Sequence, residues 1–282
     1  MQILNGKELA DIIKDDLKNV VADMKSRGEN VHLAVIQVGN DEASSVYIRQ
    51  KEKACEYIGI ESEIIKIPEH VNQNAMINLI HELNNDENVN GILVQLPLPH
   101  HMDVGKVISA INPAKDVDGF TKMNVGAAFL GHKSLISCTP LGVLKILQHY
   151  NINIVGKECV VVGRSNIVGK PMAMLLLQND GTVTICHSKT NNLKEICKRA
   201  DILICAIGKP KFFNKDYIKE GAVVIDVGIH RQDNGKLCGD VDFNDVKDIV
   251  SAITPVPNGV GAMTVAMLMN NCVEAAKFQY EE

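Results

Sequence analysis

The chain contains, at residues 159–171, the run Cys159-Val160-Val161-Val162-Gly163-Arg164-Ser165-Asn166-Ile167-Val168-Gly169-Lys170-Pro171. The four apolar residues predict a buried strand, and a turn with two glycines leads from it into a helix over Lys170–Gln178. Free backbone N–H groups and the helix dipole at such a turn favour a phosphate group. The spacing is not the usual G-x-G-x-x-G. Two interpretations are therefore open: a dinucleotide site, and a purely structural strand-to-helix turn.

Strands and helices alternate on the C-terminal side of this turn. Apolar runs predict further strands over Thr182–Cys186, Ile202–Ala206 and Ala222–Val227. A helical pattern over Leu193–Arg199 separates the first two. This order is typical of a Rossmann-like domain with a parallel sheet.

The second strand of this domain ends in residues that bear on the choice of cofactor. NAD-binding domains normally carry Asp or Glu there to bind the ribose hydroxyls. Here the strand is followed by His187-Ser188-Lys189-Thr190. With Arg164 nearby and no acidic residue present, this region would repel a 2′-phosphate less than the acidic strand end of an NAD-binding domain does. This predicts NADP as the cofactor. The same four residues are also consistent with a solvated polar loop.

The N-terminal half of the chain also predicts an α/β structure. Strand patterns lie over Val31–Val38, Glu61–Ile67 and Gly91–Gln95, and helical patterns lie between them. Near-continuous apolar strands that alternate with helices indicate a parallel sheet covered on both faces.

Two features set the predicted domain limits. Thr139-Pro140 opens a helix, because proline at a first helical position loses no needed hydrogen bond, and marks the junction. The last helix, Thr264–Lys277, is expected to return to the first domain. We therefore predict an α/β fold of two domains with a cleft between them. The first is a three-layer parallel-sheet domain of residues 1–139 plus 263–282, and the second is a Rossmann-like NADP-binding domain of residues 140–262.

Length and composition restrict the class of protein. The 282 residues are 46% hydrophobic and 22% charged, which suits a globular protein of two domains rather than a disordered chain or a coiled coil. The net charge of −5, without a basic tract, argues against nucleic acid as a partner.

The cysteines and the N-terminus indicate the compartment. The eight cysteines occur singly and none forms a C-x-x-C pair, so we expect no metal site and reduced thiols in a cytoplasmic protein. The N-terminal residues offer no apolar core for a signal peptide. The longest apolar stretches have strand length, far short of the roughly 20 residues of a membrane helix, so no membrane association is expected.

Several polar residues lie where α/β proteins bind ligands. Tyr47 and Lys51 are four residues apart on one helix face, where they either contact one ligand or face solvent. Gln95 ends a buried strand and either contacts a ligand or satisfies a backbone group. Asp116 and Asp118 either cap a helix or bind an amine-bearing heterocycle.

Five dispersed segments carry a resemblance to a known family. They are Ser45–Cys55, Gly91–Pro99, Lys115–Phe120, Gly163–Pro171 and Thr254–Pro257. In this order, over nearly the whole chain, the sequence resembles the bifunctional methylenetetrahydrofolate dehydrogenase/cyclohydrolase family. The resemblance implies a homodimeric cytoplasmic enzyme of one-carbon metabolism that binds tetrahydrofolate derivatives. Such an enzyme oxidises methylenetetrahydrofolate with NADP and then hydrolyses the methenyl product to formyltetrahydrofolate in the same cleft.

The resemblance also implies roles for single residues. Lys51 is the catalytic lysine that accepts the proton of the attacking water, and Gln95 is its hydrogen-bonding partner. Tyr47 stacks on the aminobenzoyl group of the folate, and Asp118 anchors the pterin. Further substrate contacts are implied at Leu96, Pro97, Pro255, Gly259 and Gly261, and cofactor contacts at Gly163, Arg164, Ser165, Gly169, Lys170, Pro171, His187, Ser188, Thr190 and Ile229.

The sequence departs from the family pattern at four positions. Asn258 and Ala262 replace the usual glycine and proline of the C-terminal loop. His230 stands where asparagine is typical, and Ser137 stands where a proline is common. The shape of the loops near the folate and the cofactor is therefore open, although every predicted catalytic group is present.

Two other functions are compatible with the same fold. A monofunctional NAD-dependent dehydrogenase would lack the hydrolytic activity, but Lys51 and Gln95 are both present and no acidic residue follows Cys186. A non-catalytic nucleotide-binding protein would have no need of Lys51.

Overall fold

A computed structural model describes residues 1–280, except for the side chains of residues 42–44 and 46. The chain forms two compact units. Unit 1 consists of Met1–Asp11 and Thr139–Thr264, and unit 2 consists of Ile12–Cys138 and Val265–Glu282. The division between them falls inside the first and the last helix.

Strands and helices alternate through both units. The strands, in chain order, are β1 (Gln2–Ile3), β2 (His32–Val38), β3 (Glu61–Ile67), β4 (Gly91–Val94), β5 (Glu158–Val162), β6 (Thr182–Cys186), β7 (Ile202–Cys205), β8 (Val223–Asp226), β9 (His230–Arg231), β10 (Leu237–Cys238) and β11 (Ala252–Ile253). The α-helices are α1 (Gly6–Ser26), α2 (Glu42–Ile58), α3 (Gln73–Asn85), α4 (Val104–Ser109), α5 (Lys122–Phe129), α6 (Cys138–His149), α7 (Gly169–Gln178), α8 (Leu193–Cys197), α9 (Phe243–Val246) and α10 (Val260–Tyr280).

Unit 1 is built on a six-stranded parallel sheet, with strand order β1-β11-β8-β7-β5-β6. β7 and β8 are buried along their whole length, because the sheet is covered on both faces. Leu203, Phe213 and Val224 are fully buried members of its core. The order of the strands confirms the Rossmann-like prediction.

The first residues of the chain depart from the predicted domain limits, which placed residues 1–139 together. Gln2 and Ile3 pair in parallel with Ala252 and Ile253, so β1 is an edge strand of the unit 1 sheet. Residues Met1–Asp11 accordingly belong to unit 1. A strand of two residues has no periodicity, and its partner lies near the other end of the chain, so local patterns could not reveal this pairing.

Unit 2 is built on a three-stranded parallel sheet, with strand order β3-β2-β4. β2 pairs along its whole length with β3, and its residues Leu33–Ile36 pair with β4. Asp116 forms an isolated parallel bridge with Ile92. This bridge places the loop that follows Asp116 beside β4.

The C-terminal helix α10 runs into unit 2, as predicted. Cys55 Sγ lies 3.5 Å from Met269 Sδ, and Tyr280 Oη accepts a hydrogen bond from Asn30 N at 3.0 Å. Within residues 1–280, no helix is both long and apolar enough to cross a membrane.

Candidate functional site

The carboxyl edge of the unit 1 sheet carries the turns in which the sequence predicts a cofactor site. β5 and β6 are in register up to Val162 and Cys186, and Gly163 N donates a hydrogen bond to Cys186 O at 2.9 Å. The turns that follow these two strands are therefore neighbours. Since β5 lies between β6 and β7, the chain order reverses here, and open α/β sheets bind their ligands at such a point.

Two glycines bring the backbone close together in the turn after β5. Gly163 has a φ of +141°, and a Cβ at this position would overlap the carbonyl oxygen of Ala206. A Cβ at Gly169 would overlap the carbonyl oxygen of Gly163. Both positions therefore require glycine, and the first residue of α7, Gly169, can lie against Gly163 at the end of β5. This geometry brings the helix N-terminus to the edge of the sheet, where a phosphate is favoured.

Ser165 stabilises the turn that leads into α7, whose N-cap residue is Val168. Its Oγ accepts hydrogen bonds from the backbone N–H groups of Val168 and Gly169, both at 3.2 Å. The hydroxyl therefore satisfies two of the donors that a helix N-terminus leaves unpaired.

The basic residues of the turn lie on the surface. Arg164 and Lys170 are exposed, and Lys170 Nζ donates to Asn166 Oδ1 at 2.7 Å. Pro171 lies in the first turn of α7, where the missing N–H costs no helical hydrogen bond. Arg164 thus belongs to the turn that neighbours the one after β6.

That second turn is closed by its own side chains. His187 N donates to Thr190 Oγ1 at 2.9 Å, and Lys189 N donates to His187 Nδ1 at 3.1 Å. Ser188 is exposed between them. The turn offers hydroxyl groups and contains no carboxylate, so its chemistry fits a ligand that carries an additional phosphate.

Asp240 fixes the loop at the end of β7. This fully buried residue accepts hydrogen bonds from the N–H groups of Ile207, Gly208 and Lys209, at 2.7, 3.0 and 2.9 Å. His230 Nε2 lies 2.8 Å from Asp240 Oδ1. One carboxylate therefore organises a loop at the same edge of the sheet as the two turns above.

Asp226 fixes the end of β8 in a similar way. Its carboxylate accepts hydrogen bonds from the N–H groups of Gly228, Asp240 and Val241, at 2.9 to 3.0 Å. Burial raises the pKa of Asp226 to about 7, against the opposing effect of these hydrogen bonds. Ile229, which follows this strand end, has a 45% exposed side chain.

In unit 2, Lys51 and Gln95 form a direct hydrogen bond. Lys51 Nζ, on α2, donates to Gln95 Oε1 at 2.9 Å. Gln95 directly follows β4, and its Nε2 donates to Leu96 O at 2.7 Å. The amide of Gln95 is therefore oriented with its oxygen towards the amine. Both side chains belong to half-buried residues.

Asp118 lies near the same amine. Burial raises the pKa of Asp118 to about 6, and the neighbouring Asp116 carboxylate adds to the rise, whereas the positive charge of Lys51 opposes it. The carboxylate is mostly ionised at neutral pH and becomes protonated in mild acid. A half-buried carboxylate of this kind can bind the N–H groups of a ligand.

Asp116 has a different environment from Asp118. Its carboxylate accepts hydrogen bonds from Phe120 N, Thr121 N and Asn124 Nδ2, at 3.2, 2.8 and 3.0 Å. The N-cap of α5 is Thr121, so the Asp116 carboxylate holds the loop that precedes this helix.

Tyr47 lies one helical turn before Lys51, and 45% of its side chain is exposed. After Gln95, Leu96 is half-buried and Pro97 is exposed. An exposed aromatic ring, an amine and an exposed loop thus lie on neighbouring parts of unit 2.

Pro255, Gly259 and Gly261 belong to unit 1. A Cβ at Gly259 would overlap the carbonyl oxygen of Pro255, so this loop is tightly folded. Asn258 has a φ of +76°, a left-handed conformation that asparagine tolerates better than most residues. The replacement of the family's glycine by Asn258 is therefore compatible with the loop.

The thiols near Lys51 and Asp118 are neutral at pH 7. Burial raises the pKa of Cys55 to about 12 and raises that of Cys138 well above its ordinary value. Across the part of the chain that the structure describes, no three His, Cys, Asp or Glu side chains are placed to hold a metal ion.

Family models cover both halves of the chain. The catalytic-domain model of tetrahydrofolate dehydrogenase/cyclohydrolase matches residues 4–118, and the NAD(P)-binding-domain model of the same enzyme matches residues 137–280. The chain belongs to the tetrahydrofolate dehydrogenase/cyclohydrolase family. This membership confirms the family to which the sequence motifs point.

Individual members of the family agree in sequence and in fold. Bifunctional protein FolD of Lachnoclostridium phytofermentans is 61% identical over 275 residues, which cover 98% of both chains. The crystal structure of the FolD dehydrogenase/cyclohydrolase from Campylobacter jejuni is 47% identical and covers 99% of both chains, with a TM-score of 0.97. The FolD of Trypanosoma brucei, solved with NADP and an inhibitor, is 35% identical, with a TM-score of 0.94 over 99% of this chain and 98% of that chain.

The structure joins Lys51 and Gln95 by a hydrogen bond and places Asp118 near the charge of Lys51. In unit 2, Lys51, Gln95 and Asp118 come from a helix, a strand end and a loop. Sequence reasoning did not single out Asn271, a buried polar residue on α10 that contacts the Asp118 loop. Two adjacent asparagines directly after the apolar run Val265–Met269 were the available signal.

Proposed function

We propose that this chain oxidises 5,10-methylenetetrahydrofolate to 5,10-methenyltetrahydrofolate with NADP, and hydrolyses the product to 10-formyltetrahydrofolate. The observation that carries the proposal is the hydrogen bond between Lys51 Nζ and Gln95 Oε1, with the Asp118 carboxylate beside it, in a chain of this family. An amine, an amide and a carboxylate from three separate segments form a polar centre suited to a cationic folate.

The folate is held mainly by unit 2 in this proposal. Asp118 binds the pterin amino and ring N–H groups through charge-assisted hydrogen bonds, and the exposed ring of Tyr47 stacks on the aminobenzoyl group. Leu96 and Pro97 supply contacts next to Gln95. We also propose folate contacts at Pro255, Gly259 and Gly261.

NADP fits the residues at the carboxyl edge of the unit 1 sheet. Gly163 and Gly169 let the backbone approach a pyrophosphate at the start of α7. Arg164 and Ser188 are exposed and can bind a 2′-phosphate. Ser165, Lys170, Pro171, His187, Thr190 and Ile229 complete the proposed cofactor set. The bound cofactor supplies the acceptor for the hydride that leaves the methylene carbon.

Hydrolysis uses Lys51 as the base. A water molecule attacks the cationic methenyl carbon and forms a new C–O bond, and one of its protons passes to Lys51 Nζ, which leaves a neutral carbinolamine. The carbinolamine then collapses: its hydroxyl group becomes the formyl C=O, one C–N bond breaks, and the hydroxyl proton passes to the departing ring nitrogen, while the proton on Lys51 is released to solvent. Gln95 holds the amine in place, because its own amide is fixed by Leu96 O. For the oxidation, the protein's contribution is to orient the substrate and to exclude water.

We also propose a homodimer in the cytoplasm. β6 is an edge strand of the unit 1 sheet, and its residue Ile185 is 44% exposed. An exposed apolar residue on a sheet edge is expected where a second copy of the chain covers that edge. All eight cysteines are free buried thiols, as in proteins of a reducing compartment. Sedimentation velocity of the purified protein tests the dimer, and an Ile185→Lys variant should sediment as a monomer.

The experiment that tests the activity is an absorbance assay with methylenetetrahydrofolate. We expect NADP to be reduced faster than NAD, and the methenyl product to decay by enzyme-dependent hydrolysis. Reduction without methenyl decay would indicate a monofunctional dehydrogenase, and a preference for NAD would contradict the cofactor assignment. Absence of both reactions in the folded protein would overturn the proposal.

A further inference from the structure

Asn271 links the loop that carries Asp118 to the segment that contains Ile136, both in unit 2. This residue lies on α10 and is only 2% exposed. Its Nδ2 donates hydrogen bonds to Val117 O and to Ile136 O, both at 2.8 Å. The two N–H bonds of the amide are thus engaged by one carbonyl from each segment. The first of these carbonyls belongs to the residue directly before Asp118.

The two segments are in close contact next to this amide. Gly119 has a φ of +68°, and a Cβ there would lie 2.7 Å from Leu135 O and Ser137 N. The loop that carries Asp118 can therefore approach residues 135–137 only because position 119 is glycine. Asn271 donates to a carbonyl group of each segment, and Val117 O also accepts a hydrogen bond from Cys138 Sγ at 3.4 Å.

We propose that Asn271 is a positioning residue for folate binding, which fixes the Asp118 carboxylate relative to Lys51 by holding the carbonyl group of Val117. The inference rests on the proposed role of Asp118 in binding the pterin. Asn271 itself does not touch substrate in this proposal. Its loss lets the Asp118 loop move and reduces the fraction of protein molecules in which the carboxylate is correctly placed.

The same helix offers a matched control. Gln279 lies two turns after Asn271, and its Nε2 donates to Asn90 O at 2.9 Å and to Ala114 O at 3.2 Å. This amide also joins two backbone carbonyls to α10, but neither carbonyl adjoins a proposed catalytic group. Gln279→Ala therefore reports the cost of losing such a link for stability alone.

The test is a double-mutant cycle on dissociation constants for methenyltetrahydrofolate, with NADP affinity and thermal unfolding measured on the same proteins. We expect Asn271→Ala to weaken folate binding about tenfold and to leave NADP affinity unchanged. Gln279→Ala should lower the Tm without a change in folate affinity. In an Asp118→Ala background, Asn271→Ala should weaken folate binding less than twofold further, because the carboxylate on which it acts is absent.

The outcomes distinguish failure of the proposed role of Asp118 in folate binding from failure of the positioning role of Asn271. If Asp118→Ala leaves folate affinity unchanged, the proposed role of Asp118 fails. If Asp118→Ala weakens binding but the effect of Asn271→Ala is equally large in both backgrounds, Asn271 does not act through Asp118 and the inference is overturned. Asn271→Ser retains one donor and should show a smaller loss of folate affinity. Failure of both Asn271 variants to fold would assign the residue to stability alone and also overturn the inference.

Discussion

His230 and Asp240 form a hydrogen-bonded pair, with His230 Nε2 at 2.8 Å from Asp240 Oδ1. Asp240 is fully buried and also accepts the N–H groups of residues 207–209, whereas 21% of the His230 side chain remains exposed. The histidine that departs from the family pattern is therefore part of the network that holds a loop at the cofactor edge of unit 1.

Loss of this pair should destabilise unit 1. We expect His230→Ala to reduce the free energy of unfolding by about 1–3 kcal/mol, because a buried carboxylate loses a hydrogen-bond donor. Arg231→Ala, at the exposed neighbouring position, is the control and should have little effect. Denaturant unfolding measures both variants, and equal stabilities would show that His230 contributes nothing to the network.

Lys51→Arg should abolish hydrolysis while folate binding persists. Arginine keeps the positive charge but stays protonated at neutral pH, so it cannot accept a proton from water. We expect methenyl hydrolysis to fall by about a hundredfold or more, with a much smaller change in folate affinity. Lys53→Arg, an exposed position on the same helix, serves as the control. Unchanged hydrolysis in folded Lys51→Arg would rule out the lysine as the base.

Asp118→Ala should weaken folate binding at least tenfold and leave NADP binding intact. Each charge-assisted hydrogen bond contributes about 1.5–3 kcal/mol. In the wild type, folate affinity should also fall as the pH drops below about 6, because protonation removes the charged acceptor. Calorimetric titration checks both statements, with Asp16→Ala as an exposed control. A variant that is folded and binds folate normally would contradict the assignment.

The same carboxylate should reduce stability at neutral pH. The pKa of Asp118 is raised to about 6 in the folded protein from 3.8, so between pH 4 and 6 the folded state retains a proton that the unfolded state has lost. The free energy of unfolding therefore falls over this interval, and the loss is complete above it. Asp118→Asn should be more stable than the wild type at pH 7.5, by about 1–3 kcal/mol, and nearly equal to it at pH 4.

A second carboxylate gives a control of opposite sign for this pH dependence. Hydrogen bonds from Asn88 lower the pKa of the exposed Asp86. Asp86→Asn should therefore lose stability at pH 7.5 relative to the wild type. Urea unfolding at both pH values measures the two variants, and a loss of stability in Asp118→Asn at pH 7.5 would be incompatible with the raised pKa.

Arg164→Ala should reduce kcat/KM for NADP far more than for NAD. A guanidinium that binds the 2′-phosphate contributes about 1–3 kcal/mol, and NAD has only a hydroxyl group there. Lys157→Ala, an exposed residue at the opposite end of β5, controls for the general loss of charge. The assays need a fixed ionic strength, since salt screens such contacts. An equal loss for both cofactors would show that Arg164 supports the turn instead.

Local sequence patterns were sufficient for the elements with a clear period or a continuous apolar run. β3 and β6 have the predicted limits, and β5, its turn and α7 differ from the prediction by one residue at most. Neighbouring residues specify these elements. The alternation of side chains, the glycines at strained positions and the residues that start a helix all affect the backbone only within a few positions along the chain. Short elements such as α4, β9 and β10 carry too little pattern to be recognised.

Only the tertiary structure showed that residues of one sequence motif have different contacts and different roles. Lys115, Asp116 and Asp118 belong to one motif, yet Lys115 is buried and its Nζ donates to Leu83 O and Asp86 O at the end of α3. The Asp116 carboxylate accepts hydrogen bonds within its own loop, whereas Asp118 lies near the charge of Lys51. Spacing in the sequence could not distinguish these roles, because each depends on which distant groups lie within hydrogen-bond range.

The sequence by itself determined the family, the Rossmann-like order of the second half and the residues suited to an amine, amide and carboxylate site. The tertiary structure decided the pairing of β1 with β11, the loop held by Asp240, and the contact of Asn271 with Val117. Chemical type and local period are properties of neighbouring residues along the chain. Hydrogen-bond partners and the desolvation that raises the pKa of Asp118 arise only when remote segments pack together.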